Sequence, residues 1–335
     1  MRESGVKTIE DLARLMGLSK STVSRALNGN PVIAEETRRR VAETARDHQF
    51  SKNVSAQRLT NRASKTIAFV THNIADGCQA SDLFGFEIMG GVSQGLHELG
   101  YEMLIKAIDY KDYSWVRKLL DSGQVDGFVL MTSTRKSNHI KNLILEKAPF
   151  ITWGATTNFA AFPSVCADDF QGGKLVGTYL STLGGPLAVI GGPSDEGEVQ
   201  NRLAGFTAAL SETQTPFRQE YLRYGDYSEE SGTAAMADLL AQKVRPRGVF
   251  AHSDLMAIGA MKAVRDQGLS IPREVAIVGF DDLMLASYVS PPLTTVRQHI
   301  PEAGRALAQG LVRFLETGQV SHVVMPVELV RRGSA

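Results

Sequence analysis

Residues 8–29, TIEDLARLMGLSKSTVSRALNG, read as helix, tight turn, helix. Thr8 stands three residues before Asp11, the spacing of a capping box, and Ile9, Leu12, Ala13 and Met16 then fall on one face of a first helix. Gly17 lacks a Cβ and permits the sharp turn that ends it. Ser19 supplies the cap of a second helix, in which Val23 and Leu27 form a thin apolar stripe while Lys20, Ser21, Thr22, Ser24 and Arg25 stay polar. Gly29, Asn30 and Pro31 close it. A short helix with one apolar edge and a face of hydroxyls, lysine and arginine suits the major groove of DNA, where hydroxyls reach phosphates and arginine reads guanine edges. Taken alone, the same window also fits a small surface helix of any α-helical domain.

The flanking sequence favours the DNA reading. AEETRRRVAETARDHQF, residues 34–50, is a third amphipathic helix, with Val41, Ala45 and Phe50 available for packing and Arg38, Arg39 and Arg40 near its start. Three helices of this size share a minimal core. NVSAQRLTNRASKT, residues 53–66, is basic and carries Val54 and Leu59 as its bulky apolar residues, too few to fold alone. Residues 1–65 hold 13 Lys and Arg against 7 Asp and Glu, whereas the rest of the chain holds 23 against 29. A formally neutral protein is thus a basic head on an acidic body, the asymmetry expected when one end meets phosphates.

At 335 residues with 43% hydrophobic and 7% aromatic content, the chain is long enough for such a head and two further core-bearing lobes. No apolar run reaches the length of a membrane helix and the N-terminus lacks a signal-peptide core, so the expected location is the cytoplasm, with no membrane partner. Cys78 and Cys166 show no metal-ligand spacing and are expected to be free, partly buried thiols.

Residues 6–65 resemble the DNA-binding head and hinge of the lactose-repressor (LacI) family of bacterial transcription regulators. The resemblance rests on the quoted helix-turn-helix, on the EETRRRV run, and on NVSAQRL before the strand SKTIAFV. It implies DNA contacts from Thr8, Lys20, Ser21, Thr22, Ser24, Arg25 and Asn28 in the head, and from Asn53, Ala56, Arg58 and Leu59 in the hinge. It further implies that the hinge becomes a helix when two subunits sit on the operator, with Leu59 wedged into the minor groove. Three positions depart from the family pattern: Phe50 replaces a usual tyrosine, Lys52 a usual proline, and Ala34 the usual serine cap of the third helix, the last at a cost of about 1 kcal/mol.

From Lys65 onward, short β-rich runs alternate with helical ones: TIAFV, YEMLIKA, GFVLM, FITWG, PSVCA, PLAVIGG, GVFAHS, VAIVGF, TTVRQ and a final strand in VVMPVELVRRGSA. Such alternation predicts parallel sheets in doubly wound α/β lobes. The resemblance extends over nearly the full chain and implies a two-lobed, periplasmic-binding-protein-like effector domain with lobe crossovers near 163, 290 and 322. The expected division is a helix-turn-helix head at 1–50, a hinge helix and linker at 51–65, one lobe from 66–163 and 291–322, and the other from 164–290 and 323–335.

Ligands of open α/β sheets bind beyond the carboxyl ends of the strands. The residues there are mostly acids, amides, hydroxyls and a few aromatics, a mixture suited to a polyhydroxylated ligand. Each one alone also fits an ordinary turn or capping residue. The resemblance selects among them. NRLAGF places Arg202 where an arginine clasps the effector, and VGFDD places Asp281 where a carboxylate accepts its polar groups. SDLMAIG puts Ser253 in an asparagine position, and CADD marks Asp168 as a contact while leaving Asp169 in doubt. Asn73 follows the first strand, and Phe84, Trp153 and Tyr227 are stacking candidates. Glu196 stands where the purine-binding branch of the family carries an arginine, which disfavours a purine. A sugar or sugar phosphate is the expected effector class, and the acidic rim from Asp195 to Glu198 favours an uncharged sugar.

IGGPSDEG lacks the spacing and GKS/T terminus of a nucleotide loop, and no hydrolase, zinc-protease or Cys/His arrangement appears. No cofactor, metal or catalytic residue is expected. The chain ends without a leucine-heptad extension, so a homodimer is expected on a pseudo-palindromic double-stranded operator. The reading is a transcriptional repressor controlled by a small effector. The alternatives are a ligand-responsive activator, and a sugar-binding or sugar-modifying enzyme carrying a DNA-binding head.

Overall fold

The computed structural model describes residues 6, 8–27, 29–48, 50, 64–72, 83–108, 112–131, 137–154 and 162–335. The chain forms two units, Met1–Ser64 and Lys65–Ala335.

In the first unit, α1 spans Ile9–Met16, α2 Lys20–Leu27 and α3 Glu35–Asp47. The capping box forms: the Asp11 amide donates to Thr8 Oγ1 at 3.1 Å and the Thr8 amide to Asp11 Oδ2 at 3.0 Å. Gly17 takes the left-handed conformation, φ 64°, that ends α1. The Thr22 amide donates to Ser19 Oγ at 3.1 Å, which starts α2. Ala34 makes no side-chain cap bond to α3, as its chemistry dictates, and Glu35 and Glu36 put negative charge against that helix N-terminus instead. Leu12, Ala13, Val23, Ala26, Val41 and Ala45 are the buried core. Leu27 is only half-buried at its margin; Ala26, three residues after Val23, takes the inward position.

In the second unit, β1 Thr66–His72, β2 Glu102–Ile108, β3 Gly127–Met131, β4 Phe150–Trp153, β5 Ser164–Ala167 and β11 His322–Met325 make a parallel sheet. Its order is β11-β5-β4-β3-β1-β2. A second parallel sheet, in the order β7-β6-β8-β9, contains β6 Leu187–Gly191, β7 Leu222–Tyr224, β8 Gly248–Ala251 and β9 Ala276–Val278. β10 Thr295–Arg297 and β12 Glu328–Val330 pair as a short antiparallel ribbon.

Both sheets are covered on two sides, and alternate strand residues show it. Ile67 and Phe69 of β1 pack with α4 Leu83–Glu98 and α11 Ile300–Thr317, while Ala68 and Val70 pack with α5 Trp115–Asp121 and α6 Ser137–Leu145. In the second sheet Leu187 and Val189 of β6 face α7 Asp169–Ser181 and α8 Gly197–Glu212. Ala188 and Ile190 face α9 Glu229–Leu240 and α10 Asp254–Asp266. This is the doubly wound α/β architecture that the alternating pattern predicts.

The changes of lobe fall later than expected. β5 pairs in register with β11, Ser164 opposite His322 and Ala167 opposite Met325, so both strands belong to the first sheet. The chain therefore leaves that sheet after Ala167 rather than near 163. It returns between Arg297 and Ile300 rather than near 290, and leaves again between Met325 and Glu328 rather than near 322. The tail read as one strand is two, interrupted at Pro326, because each half pairs with a different partner. β7 is a three-residue edge strand whose periodicity is too short to register in the sequence.

α7 and α8 cross so closely that side chains are excluded at the contact. A Cβ on Gly205 would collide with the carbonyl oxygen of Phe170, and one on Gly173 with that of Arg202. Cys166 is a free, half-buried thiol whose pKa burial pushes up to about 11, and Cys78 lies outside the described residues. Among the described residues, no helix is long and apolar enough to cross a membrane.

Candidate functional site

α2 presents the polar face of the head. Lys20, Ser21 and Arg25 are exposed, Thr22 and Ser24 half-exposed, and Val23 and Ala26 point into the three-helix core. Ser19 Oγ lies 2.9 Å from Ser21 Oγ and 2.8 Å from Thr22 Oγ1, so these hydroxyls form one small network at the helix start. Lys20 lies 3.7 Å from Glu10 in an ion pair exposed on both sides, an interaction weak enough to yield to a phosphate. The Thr8 hydroxyl donates to Asp11 Oδ2 at 2.8 Å within its cap. Asn28, Asn53, Ala56, Arg58 and Leu59 lie outside the described residues.

In the second unit, the loops at the carboxyl ends of β5, β6, β8 and β9 bring a set of charged side chains together around Arg202. Its Nε donates to Asp169 Oδ1 at 2.7 Å, its Nη1 donates to the carbonyl oxygen of His252 at 2.5 Å, and its guanidinium carbon sits 3.8 Å from the centre of the Phe280 ring. Burial opposes the charge on this guanidinium, but Asp169 and Asp281 outweigh it and raise its pKa. The close crossing at Gly173 and Gly205 is what sets Asp169, at the start of α7, against Arg202 on α8.

Asp281 is 7% exposed and holds φ at 123°, outside the usual range of a non-glycine residue. Gln298 Nε2 donates to its Oδ1 at 2.6 Å, and the Asp254 backbone amide also donates to this carboxyl. Burial raises the Asp281 pKa to about 7 against the opposing pull of Arg202 and Gln298. Asp254 is fully buried, accepting from the Leu283 amide at 2.8 Å and from Thr295 Oγ1 at 2.5 Å. Burial and the neighbouring Asp281 hold its carboxyl well above the ordinary range. It ties the start of α10 to the loop after β9 and to β10.

The remaining predicted residues occupy varied settings. Asp168 is half-buried and caps α7, accepting the Gln171 amide at 2.9 Å. Ser253 is buried and caps α10 through the Met256 amide at 3.2 Å, so its hydroxyl serves the helix. Tyr227 holds a positive φ of 71°, its ring crosses Gly192, and its hydroxyl donates to Glu196 Oε2 at 2.9 Å. Burial, together with Glu198 and Glu196, holds the Tyr227 pKa well above its usual value despite Arg202. Phe84 and Trp153 lie with ring centroids 5.8 Å apart at 44°, and Trp153 is largely embedded in the core shared with Leu255 and Leu283. Asn73 lies outside the described residues.

The fold assembles further groups here that the sequence reading did not select. Asp169, left in doubt, is the ion-pair partner of Arg202. Glu198 is half-buried, and burial plus the charge of Glu196 raise its pKa to about 7. His252 is fully buried, packs on Phe250 at 4.7 Å, and has no hydrogen-bond partner on either ring nitrogen among the described residues. Burial and then Arg202 hold its pKa well below the usual imidazole value. Gln298 Oε1 is likewise buried without a partner among the described residues. The spacing D-D in CADD was the available signal for Asp169; nothing local marks His252 or Gln298. No group of His, Cys, Asp and Glu among the described residues is arranged to hold a metal ion.

Comparison with known proteins gives two family matches: bacterial regulatory proteins of the lacI family at residues 8–53, and a periplasmic binding protein-like domain at residues 186–335. A probable HTH-type transcriptional repressor ExuR of Bacillus subtilis (strain 168) is 32% identical, with 92% of this chain covering 91% of that protein. A solved structure of a transcriptional regulator CelR–cellobiose complex is similar at 28% identity and TM-score 0.75, covering 98% of this chain and 100% of that one. The lac repressor dimer bound to operator and the anti-inducer ONPF has the same fold, with TM-score 0.84 at 24% identity over 98% of both chains.

Proposed function

The chain belongs to the lacI family of bacterial regulatory proteins, and we propose that it is a cytoplasmic transcriptional repressor whose hold on a pseudo-palindromic operator is set by a sugar bound between the lobes of its second unit. The observation that carries this reading is the presence, in one chain, of a capped helix-turn-helix with a polar recognition face and a second unit whose strand ends converge on a buried arginine. The named relatives support it: one is named a probable transcriptional repressor and another was solved as a cellobiose complex.

In this reading, Thr8, Lys20, Ser21, Thr22, Ser24, Arg25 and Asn28 contact the operator, and Asn53, Ala56, Arg58 and Leu59 engage it through the hinge. Two copies of the chain act together, as in the lac repressor dimer on its operator. Arg202 and Asp281 anchor the sugar, with Asp168 and Tyr227 at its edges, Phe84 and Trp153 against its apolar face, and Asn73 and Ser253 completing the set. Arg202 is suited to this role because Asp169 and the His252 carbonyl fix its plane before any ligand arrives. The reading assigns no catalytic step. Ligand and operator act on one equilibrium between arrangements of the lobes, so each must change the affinity of the other by the same factor.

A thermal-shift screen of sugars, followed by operator binding with the compound that stabilises the protein most, tests the reading. The expected result is a ligand that raises the melting temperature and also moves operator affinity. A ligand that stabilises the second unit and leaves operator affinity unchanged would overturn it.

A further inference from the structure

The loop after β9 and the two later lobe crossovers meet in one cluster of charge. Asp282 accepts from Arg297 Nε at 2.7 Å through Oδ2, and Arg332 Nη2 lies 2.6 Å from its Oδ1 in a second ion pair. Arg297 is the last residue of β10 before the second crossover, and Glu328 opens β12 just after the third. Arg297 Nη1 joins the two by donating to Glu328 Oε1 at 2.6 Å. Further bonds stitch the loop to the same segment: the Asp281 amide donates to the Val296 carbonyl oxygen at 2.8 Å, and Gln298 Nε2 to Asp281 Oδ1 at 2.6 Å. Arg332 is held in turn, donating through Nη1 to the Leu293 carbonyl oxygen and through its amide to Thr294 Oγ1, each at 2.9 Å.

The backbone supplies a second, independent observation. Asp281, Asp282 and His299 hold φ at 123°, 58° and 50°, values that non-glycine residues rarely adopt, and His299 lies within the second crossover itself. Residues in such conformations persist where the surrounding structure over-determines them, and they gather at switch regions. Here the bonds around Asp282 are what over-determines them. Burial decides which bonds matter most: the side chains of Asp282 and Arg332 are 7% and 19% exposed, those of Arg297 and Glu328 41% and 53%. The inner pair therefore carries more of the hold than the outer one. None of these four side chains is among those assigned to the sugar. We infer that Asp282 is the keystone of a clamp, completed by Arg297, Glu328 and Arg332, that makes the two later crossovers move as one with the effector loop. Through that clamp the loop sets the lobe arrangement to which the operator responds. This last step rests on the reading that lobe arrangement governs operator affinity.

Hydrogen–deuterium exchange of the full-length, ligand-free protein tests the clamp with Asp282→Asn, which keeps the side-chain shape and the tolerance of positive φ while removing the charge. Exchange in both crossover segments, 296–301 and 324–329, should accelerate together by on the order of tenfold, while β1, β3, β6 and β8 keep wild-type rates. Glu328→Gln, at the exposed end, should give about threefold or less, and it carries the test alone if the first variant does not fold. Affinity for the duplex that the wild-type protein selects from a random-sequence library should shift by about fivefold or more in Asp282→Asn, the lower end of typical coupling. Wild-type exchange at the crossovers in both variants overturns the clamp. Acceleration spread evenly through the second unit overturns it too, being the mark of a merely structural role. Crossovers that loosen with no change in duplex affinity overturn the link to the operator. The underlying reading fails separately: a wild-type protein that selects no duplex refutes operator control, whereas the exchange still decides whether the two crossovers are clamped.

Discussion

Arg202 and Asp169 meet through Nε and Oδ1 at 2.7 Å with only 7% and 4% of their side chains exposed. A pair so far from solvent is held by its partners rather than by water, and removing one member leaves a buried charge without compensation. Asp169→Ala should therefore destabilise the second unit by about 3–5 kcal/mol in a chemical denaturation measurement, and should weaken effector binding with it. A loss below about 1 kcal/mol would show that the pair has the small value of an exposed one.

Gly205→Ala tests how that pair is brought together. The added methyl meets the Phe170 carbonyl oxygen, so α7 and α8 must separate, at a cost of about 3 kcal/mol. Effector affinity should fall as well, because Asp169 and Arg202 ride on these two helices. Gly90→Ala in α4 is the control: nothing lies within 4 Å of the new methyl, and helix propensity favours alanine by about 1 kcal/mol. Equal melting temperatures for the two variants would refute the close-crossing account.

The raised carboxyl groups set a pH dependence with a definite sign. Folding lifts Glu198 from 4.5 to about 7 and Asp281 from 3.8 to about 7, so the folded protein keeps protons that the unfolded chain has released. Their contribution to stability consequently declines as pH rises from the unfolded values to about 7, and the loss is complete above that. His252 acts in the opposite sense below its ordinary value of 6.5, where the unfolded chain gains a proton that the buried ring refuses. Glu198→Gln should melt above the wild type at pH values above about 7 and show no advantage below about 4.5, in scans of ligand-free protein. A gain of the same size at both extremes would refute the assigned shift.

For the head, Arg25→Ala should cost about 1–3 kcal/mol in operator affinity and relax selection at a single base pair, measured by titration of operator variants. Lys20→Ala should weaken binding to all sequences alike and reduce its salt dependence. Uniform weakening by Arg25→Ala would move that residue from base reading to phosphate contact.

Leu59→Ala should leave the stability of the head unchanged while reducing both operator affinity and operator bending, measured by mobility of circularly permuted fragments. Wild-type bending by this variant would remove the wedge assignment.

The sequence determined the parts of this protein whose physics is local. Thr8 with Asp11, Gly17 and Ser19 specify two helices and the turn between them within a dozen residues, and the structure forms each of those caps. Alternating apolar runs likewise specify parallel strands and covering helices, and among the described strands only the three-residue β7 and the break between β11 and β12 were not legible. What depended on tertiary structure is where chain segments distant in sequence meet. Whether β5 and β11 belong to one sheet depends on a pairing across more than 150 positions, which no local pattern encodes. Asp168 and Asp169 are adjacent and chemically alike, yet one caps its own helix and the other neutralises Arg202. That choice is made by the glycine-lined crossing of α7 and α8, a packing event rather than a propensity. Ser253, expected from the resemblance as a ligand contact, also caps α10; His252 and Gln298 carry no motif and become notable only because burial leaves both ring nitrogens of one and the amide oxygen of the other without partners among the described residues. Periodicity and capping act over a few residues and so are written in the chain; burial and charge balance act through space and exist only once it has folded.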